Sequence, residues 1–539
     1  MIVCEANRPA ERGAHREFRI ASPSPPCTES RKSPHRPMPI PSTLCLLLIG
    51  QLSLPQGAAN MRADVPASQS SQGSRPAQEP AAKGAPAKAD PKLAAELAGV
   101  SEARAARTVR ELVALGPRMG GTRSGAAAAK FLEGRFADIG LKTQRHLGRE
   151  QWCHQELQWE LVVHIDGEEP YRLERAWPWG FSPGGSGTSV LLSVGDSRSE
   201  PGSDQALLTG SYMGVRRKGV PSNVVLVDDA NTIDGEWPVC RSLRRRGTQA
   251  PAFGISSGEG ARIRAAVEAG KEVRIDWSLE TEILQAQPVT VVATLPGAEG
   301  APAGHFLICA HGDSDSGGPG ANDNASGVAI VLEIAAAWTA AIRAGTLAPP
   351  PREVRFAIWG SEIASTRAYL ESDLGAGVLG VMNFDQAGYG STGQRLHVEP
   401  DDLKSNAAFI GVASGVLRSH AGEEGFPERW ATNKSLGGTD SYVFSGSRRF
   451  RDQGLPAVTL YTSAWGQPDE HPATPGMPGE SWSERDRVAI DYDRFYHSAG
   501  DTPENTTDRE PENMGWCARV GLLTTLRYLA TLGEGRSSK

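Results

Sequence analysis

Apolar residues from Leu93 to Leu115 recur at helical spacing on a background rich in Ala and Glu, and the pattern stops at Gly116 Pro117. That predicts a helix closed by a breaker pair. A Gly-rich turn, Gly120 to Gly125, leads into a second predicted helix from Ala126 to about Ile139. Between about 157 and 285 the texture changes to short strand-like runs such as Val224 Val225 Leu226 Val227, a basic loop at Arg216 Arg217 Lys218, a helix-like stretch from Gly258 to Gly270 and an alternating run from Val273 to Trp277. Pro and Gly clusters near 178–186 and 196–202 separate these pieces, which suits a compact unit inserted into a larger domain. From 289 onward apolar runs alternate with helical patterns. Strands are expected at Val289–Leu295, Phe306–Ala310, Val354–Trp359, Val378–Phe384 and Leu455–Tyr461, and helices at 326–343, about 365–372, about 403–418 and 514–532. Such alternation predicts an α/β domain on a buried, largely parallel sheet. Polar groups that act on a ligand then belong beyond the carboxyl ends of the strands.

A chain of 539 residues has room for about three units, or for one large catalytic domain and an insert. The formal charge of -7, with 56 Lys and Arg against 63 Asp and Glu, gives no basic surplus for an electrostatic nucleic-acid binder. The head of the chain stands apart. Residues 1–37 are rich in Pro, Ser and Arg without apolar periodicity and are expected to be disordered, with translation expected to start near Met38. Residues 38–59 hold the short apolar run Leu44 to Ile49 behind positive charge and ahead of Ala58 Ala59, the order of a signal peptide and too short to span a bilayer. Residues 60–92 are an expected linker of Ala, Pro, Ser, Gln and Lys. This head predicts a secreted or periplasmic protein without a transmembrane segment in its mature form. Cys153, Cys240, Cys309 and Cys517 lie in the folded part without CxxC spacing, so a thiolate zinc site is not indicated, and Cys309 is expected as a buried small hydrophobe.

Candidate chemistry gathers at strand ends. His311 Gly312 Asp313 follows the strand ending at Ala310, and Asp323 arrives after a Gly and Pro turn and just before a helix. The strand ending at Trp359 runs into Gly360 Ser361 Glu362, the strand ending at Phe384 runs directly into Asp385, and Tyr496 His497 precedes Asp501 Thr502 Pro503. Imidazole and carboxylate ligands without thiolate suit a hydrolytic Zn²⁺ site, with Asp313 placed to orient His311.

The run from His311 to Gly327 resembles the M28 family of zinc peptidases, which includes bacterial aminopeptidases and glutamate carboxypeptidases; the likeness extends over roughly 93–533. It implies a zinc-peptidase α/β sandwich with a central mixed, largely parallel sheet flanked by helices, in two parts, 93–159 and 286–539, around a β-rich insert at 160–285 similar to a protease-associated domain. It further implies two zinc ions, with His311 and Asp385 on the first, Asp323 bridging and His497 on the second. Glu362 is then the general base, and Tyr496 steadies the oxyanion. Gly438 to Ser441, Phe450 to Val458 and Asp501 to Asn505 look like the family's later segments. The pattern departs at Ile363, which stands where the family has a glutamate ligand to the second zinc, so a weakened second site is expected. The implied activity is exopeptidase hydrolysis of a peptide or small protein substrate, most fittingly as an aminopeptidase; a carboxypeptidase would need a cation such as Arg367, Arg395, Arg448 or Arg449 in its pocket. Because of Ile363, two readings stand beside it: a non-catalytic extracellular binding protein, and a single-zinc enzyme similar to glutaminyl cyclases.

Overall fold

The computed structural model describes residue 97 and residues 99–534, apart from 197–200, 212–213, 217–221, 229–234, 244–249, 315–316, 391–394, 433–441, 446–453 and 464–492. The expected disordered head, signal peptide and linker lie outside the described residues, as do Arg217, Lys218, Gly438 to Ser441, Arg448, Arg449 and Phe450. The helices of nine or more residues are α1 (Glu102–Val113), α2 (Arg123–Ile139), α3 (Ser257–Glu268), α4 (Gly327–Arg343), α5 (Glu362–Leu370), α6 (Ala407–His420) and α7 (Glu512–Glu534). The start of α2 lies ahead of the expected one because the Thr122 hydroxyl accepts from the Gly125 N–H and caps it there, and Gly140 closes it in the left-handed region.

One sheet of eight strands runs in the order Lys142–Leu147, Val289–Leu295, Glu353–Trp359, His305–His311, Val378–Phe384, Ala457–Tyr461, Arg395–Glu399 and Arg429–Thr432. Its four central strands, from Glu353–Trp359 to Ala457–Tyr461, are mutually parallel. On one side Val289–Leu295 is antiparallel to both of its neighbours, and on the other Arg395–Glu399 is antiparallel to Ala457–Tyr461. The sheet is therefore mixed, with a parallel centre and antiparallel pairings on both sides of it. Apolar runs report burial and not direction, and the edge strand Lys142–Leu147 reads Lys-Thr-Gln-Arg-His-Leu, a polar sequence suited to an exposed sheet margin.

Helix α4 is apolar around almost its whole circumference because α1, α2, α7 and the sheet surround it. Together with the preceding turn it forms a stretch, 321–343, long and apolar enough to cross a membrane, but 83% of that window is buried within the protein, which makes it a core helix. Its one acid, Glu333, accepts from Arg104 Nη2 at 2.6 Å and from the Ser101 N–H at 3.0 Å, which ties α1 to the core.

Residues 151–286 build a second mixed sheet of eight strands around a separate apolar core that includes Leu161, Val163, Leu208, Leu226, Phe253 and Ile275. Gln151–Ile165 and Val273–Ala286 pair antiparallel along nearly their full length, so the chain leaves the first sheet after Leu147 and returns to it at Val289 through one long ribbon. Cys153, Cys240, Cys309 and Cys517 are all buried and unbridged.

Candidate metal centre

His311 is the last residue of its strand, Asp385 is the first beyond the neighbouring strand, and Glu362 follows the strand on the other side. Three adjacent parallel strands thus deliver three candidate residues to one end of the sheet, the end at which ligands bind in such folds. Asp323 reaches the same place from the turn that opens α4. His311, Asp323 and Asp385 are buried, and one ligand atom from each lies within 4.8 Å of the others. His311 Nε2 stands 3.1 Å from Asp323 Oδ1 and 3.4 Å from Asp385 Oδ1. The second oxygen of the same carboxylate, Asp323 Oδ2, stands 3.2 Å from His497 Nε2. One carboxylate therefore faces two imidazoles, one through each oxygen.

The surroundings fix these side chains. His311 Nδ1 lies 3.0 Å from the Asp313 carbonyl, so a neutral ring carries its proton on Nδ1 and turns the Nε2 lone pair toward the two carboxylates. Asp313 Oδ1 also accepts from the Glu362 N–H at 3.1 Å. Ser361, the residue at the start of α5, makes no capping bond with its side chain, and Asp313 supplies that acceptor instead. Asp501 accepts from the Asn322 and Asp323 N–H groups at 2.7 and 3.0 Å, and Asn322 Nδ2 donates to Asp493 at 2.8 Å. His497 and Gln386, the latter next to Asp385, both hold positive φ, a backbone state that residues with a side chain visit mainly where the surroundings enforce it.

Charge follows this geometry. Burial pulls the His311 pKa down, but its contacts with Asp313, Asp323 and Asp385 outweigh that and hold it well above the ordinary value. Burial pushes the Asp323 carboxyl up, yet contacts with His311 and His497 bring it below the usual range. Burial raises both Asp493 and Asp501, and for Asp501 the neighbouring Asp493 charge adds to the effect. A buried pocket of carboxylates facing imidazole is a cation site by its donor set.

Two contributors had no signal in the sequence. Arg118, 1% exposed, donates from Nε to Gly312 O at 3.1 Å, from Nη1 to Pro319 O at 2.9 Å and from Nη2 to Gly320 O at 2.7 Å, cradling the loop between His311 and Asp323. Its burial draws the guanidinium pKa down to about 10 even with Asp501, Asp313 and Asp323 nearby. Arg241, 6% exposed and carried by the second sheet's chain, places Nη1 at 2.5 Å from His497 Nδ1. The Tyr496 ring stacks on His497 with centroids 3.6 Å apart. Ile363 packs in an apolar cluster with Trp359, Tyr369 and Phe444 and offers no donor atom. His311, Asp323 and Asp385 fit a zinc ion in number, type and proximity. The set around His497 does not fit a second one, because Ile363 supplies nothing and a cation already addresses the imidazole.

Residues 290–520 match the model of peptidase family M28. The chain is 29% identical over 224 residues to leupeptin-inactivating enzyme 1 of Streptomyces exfoliatus, which covers 40% of this chain and 44% of that protein. It is 30% identical over 175 residues to the probable lipoprotein aminopeptidase LpqL of Mycobacterium tuberculosis (strain ATCC 25618 / H37Rv), covering 31% of this chain and 33% of that one. The chain thus matches less than half the length of either relative. The crystal structure of a peptidase M28 precursor from Shewanella amazonensis SB2B superposes with a TM-score of 0.56 at 17% identity, over 81% of this chain and 96% of that one. Residues 290–520 thus match family M28, and the chain shares its fold with a peptidase of that family.

Proposed function

We propose that this M28-fold chain is a zinc-dependent exopeptidase that shortens peptides from a free terminus, in the first place the amino terminus. The observation that carries the reading is the buried set His311, Asp323 and Asp385 gathered at the ends of adjacent strands. A relative named as a probable lipoprotein aminopeptidase favours the amino end. Zinc held by that set supplies Lewis-acid polarisation of the scissile carbonyl and activation of water.

The chain's own groups do the rest. Glu362, set at the first turn of α5 by the Asp313 cap, takes a proton from the attacking water and returns it to the leaving amine. Tyr496, steadied against the His497 ring, donates to the oxyanion. Asp313 holds His311 and the start of α5 in one register. Of the cations that a carboxypeptidase pocket would need, Arg367 is exposed on α5 and Arg395 is half-buried at a strand start.

The second sheet, 151–286, serves in this reading as a protease-associated-like insert that frames access to the site. A secreted or periplasmic location rests on the apolar run at 44–49 behind a basic head.

The test is a set of peptides differing only in terminal blocking, incubated with the zinc-loaded chain and weighed by mass spectrometry. Loss of single residues from unblocked peptides and not from amino-acetylated ones is expected. Loss from amino-acetylated peptides as well as unblocked ones, and none from carboxyl-amidated ones, would move the activity to the other terminus. Conversion of an amino-terminal glutamine to pyroglutamate without chain cleavage would support the cyclase-like alternative, and unchanged peptides throughout a binding protein.

A further inference from the structure

The contact between Arg241 and His497 bears on how many metal ions this centre takes. A guanidinium has donors and no acceptor, so the bond at 2.5 Å requires the lone pair of His497 Nδ1. The proton of the neutral ring is then on Nε2, the nitrogen 3.2 Å from Asp323 Oδ2. An imidazole that ligates a metal through Nε2 needs the opposite tautomer, with its proton on Nδ1 and an acceptor beside it. His311 has that arrangement, with the Asp313 carbonyl at 3.0 Å from its Nδ1. His497 has the reverse.

The placement of Arg241 is built in. The Cys240 N–H donates to the His497 carbonyl at 2.7 Å, the Ala499 N–H donates to Pro238 O at 3.0 Å, and Val239 bridges to Ser498. On the other side the Gly180 N–H donates to the Arg241 carbonyl at 2.7 Å, and Trp179 Nε1 donates to Val239 O at 3.0 Å. Ser242 Oγ lies 3.2 Å from Nε2 of the buried His154, whose Nδ1 is 3.0 Å from Glu156. The segment 238–243 is therefore held between the second sheet and the His497 loop, and its arginine is 6% exposed.

We propose that the chain holds one catalytic zinc ion and that Arg241 supplies, at His497, the positive charge of a second. Asp323 would help to hold the single ion, and its second carboxylate oxygen stands 3.2 Å from His497 Nε2, whose Nδ1 is taken by Arg241. Arg241 is a positioning residue that acts through His497, and the replacement of a ligand by Ile363 and the presence of Arg241 are two halves of one arrangement. This inference rests on the zinc exopeptidase reading.

The experiment is zinc stoichiometry by elemental analysis and calorimetric titration on the full chain and its variants, with circular dichroism as a check of folding. One zinc per chain is expected, remaining one in His497→Ala and lost in Asp385→Asn, with affinity down more than about 100-fold in the latter and about 10-fold in the former. Ile363→Glu should stay at one and Ile363→Glu combined with Arg241→Gln should rise to two, while Ile363→Glu with Arg241→Lys stays at one because the charge persists. Two ions in the natural chain, falling to one in His497→Ala, would overturn the role of Arg241 and leave the exopeptidase reading intact. A second ion in Ile363→Glu alone, or none gained in the combined variant with Gln, would also overturn it. A chain that takes up no zinc would overturn both readings.

Discussion

At the scale of single residues, the parts of the centre that lie close together in sequence were the legible ones. His311 and Asp323 share one loop, and Asp385 abuts a strand end, so spacing and strand prediction were enough to nominate them. Arg118 and Arg241 act across 194 and 256 positions of chain, through bonds to the Gly312 carbonyl and to His497, and no local pattern marks an arginine for such work. Replacing Arg118 by Met leaves three loop carbonyls without their donor in a buried place. We expect a loss of about 3 kcal/mol in stability, since leaving buried acceptors unsatisfied costs on the order of 1–3 kcal/mol each and the loop can recover part of that. Chemical denaturation of the metal-free chain measures it, and a loss under about 1 kcal/mol would show that the cradle matters little. Glu362→Gln keeps the shape of the side chain and removes its basicity. Turnover should fall about 10³-fold with zinc content unchanged, in line with the usual worth of a positioned general base; an active variant would refute the assignment.

Among elements, the ends matter more than the middles. Strands Val289–Leu295 and Val378–Phe384 and most of the helices sat where apolar periodicity put them, whereas the marginal strands Lys142–Leu147, Arg395–Glu399 and Arg429–Thr432 did not show, because their residues are polar or their runs short. Helix α5 depends on an acceptor borrowed from another loop, the Asp313 carboxylate. Asp313→Ala should lower turnover about 10- to 100-fold, the range typical of groups that orient ligands, and Asp313→Asn should recover part of it because an amide oxygen still accepts from the Glu362 N–H. Equal loss in both variants, in steady-state assays, would contradict the capping role. The strand start at His305 makes a second prediction. Burial, with the Arg355 charge adding, lowers its pKa to about 4, and its ring lies 3.2 Å from the Tyr369 hydroxyl. Because the folded pKa is below the unfolded value, the unfolded chain binds this proton first as pH falls. Its contribution is complete above about pH 6.5 and is lost as pH falls from there toward about 4. Melting temperatures of the natural chain and of His305→Gln should diverge over that window, with the variant less sensitive to acid; parallel curves would exclude His305 as a source.

The whole molecule joins two sheets through one ribbon, and the loop 238–243 from the second sheet's chain contacts the loop that carries His497. An insert that merely shaded the active site would have no reason to place a buried arginine on a candidate ligand. In sequence the stretch 157–285 stands out by its change of texture, and the contact between the second sheet's chain and the His497 loop became visible only with the fold. The central claim is that a zinc centre at His311, Asp323 and Asp385 hydrolyses peptides, and its most direct test is reconstitution. The chain is stripped with a chelator, returned to trace zinc, and given an unblocked peptide whose mass is followed over time, beside Asp385→Asn treated identically. The account predicts no change with the stripped chain, stepwise loss of terminal residues once zinc is restored, and none with the variant at any zinc level tested. Cleavage that persists in the chelated chain, or a peptide left intact by a chain shown to hold zinc, would contradict it.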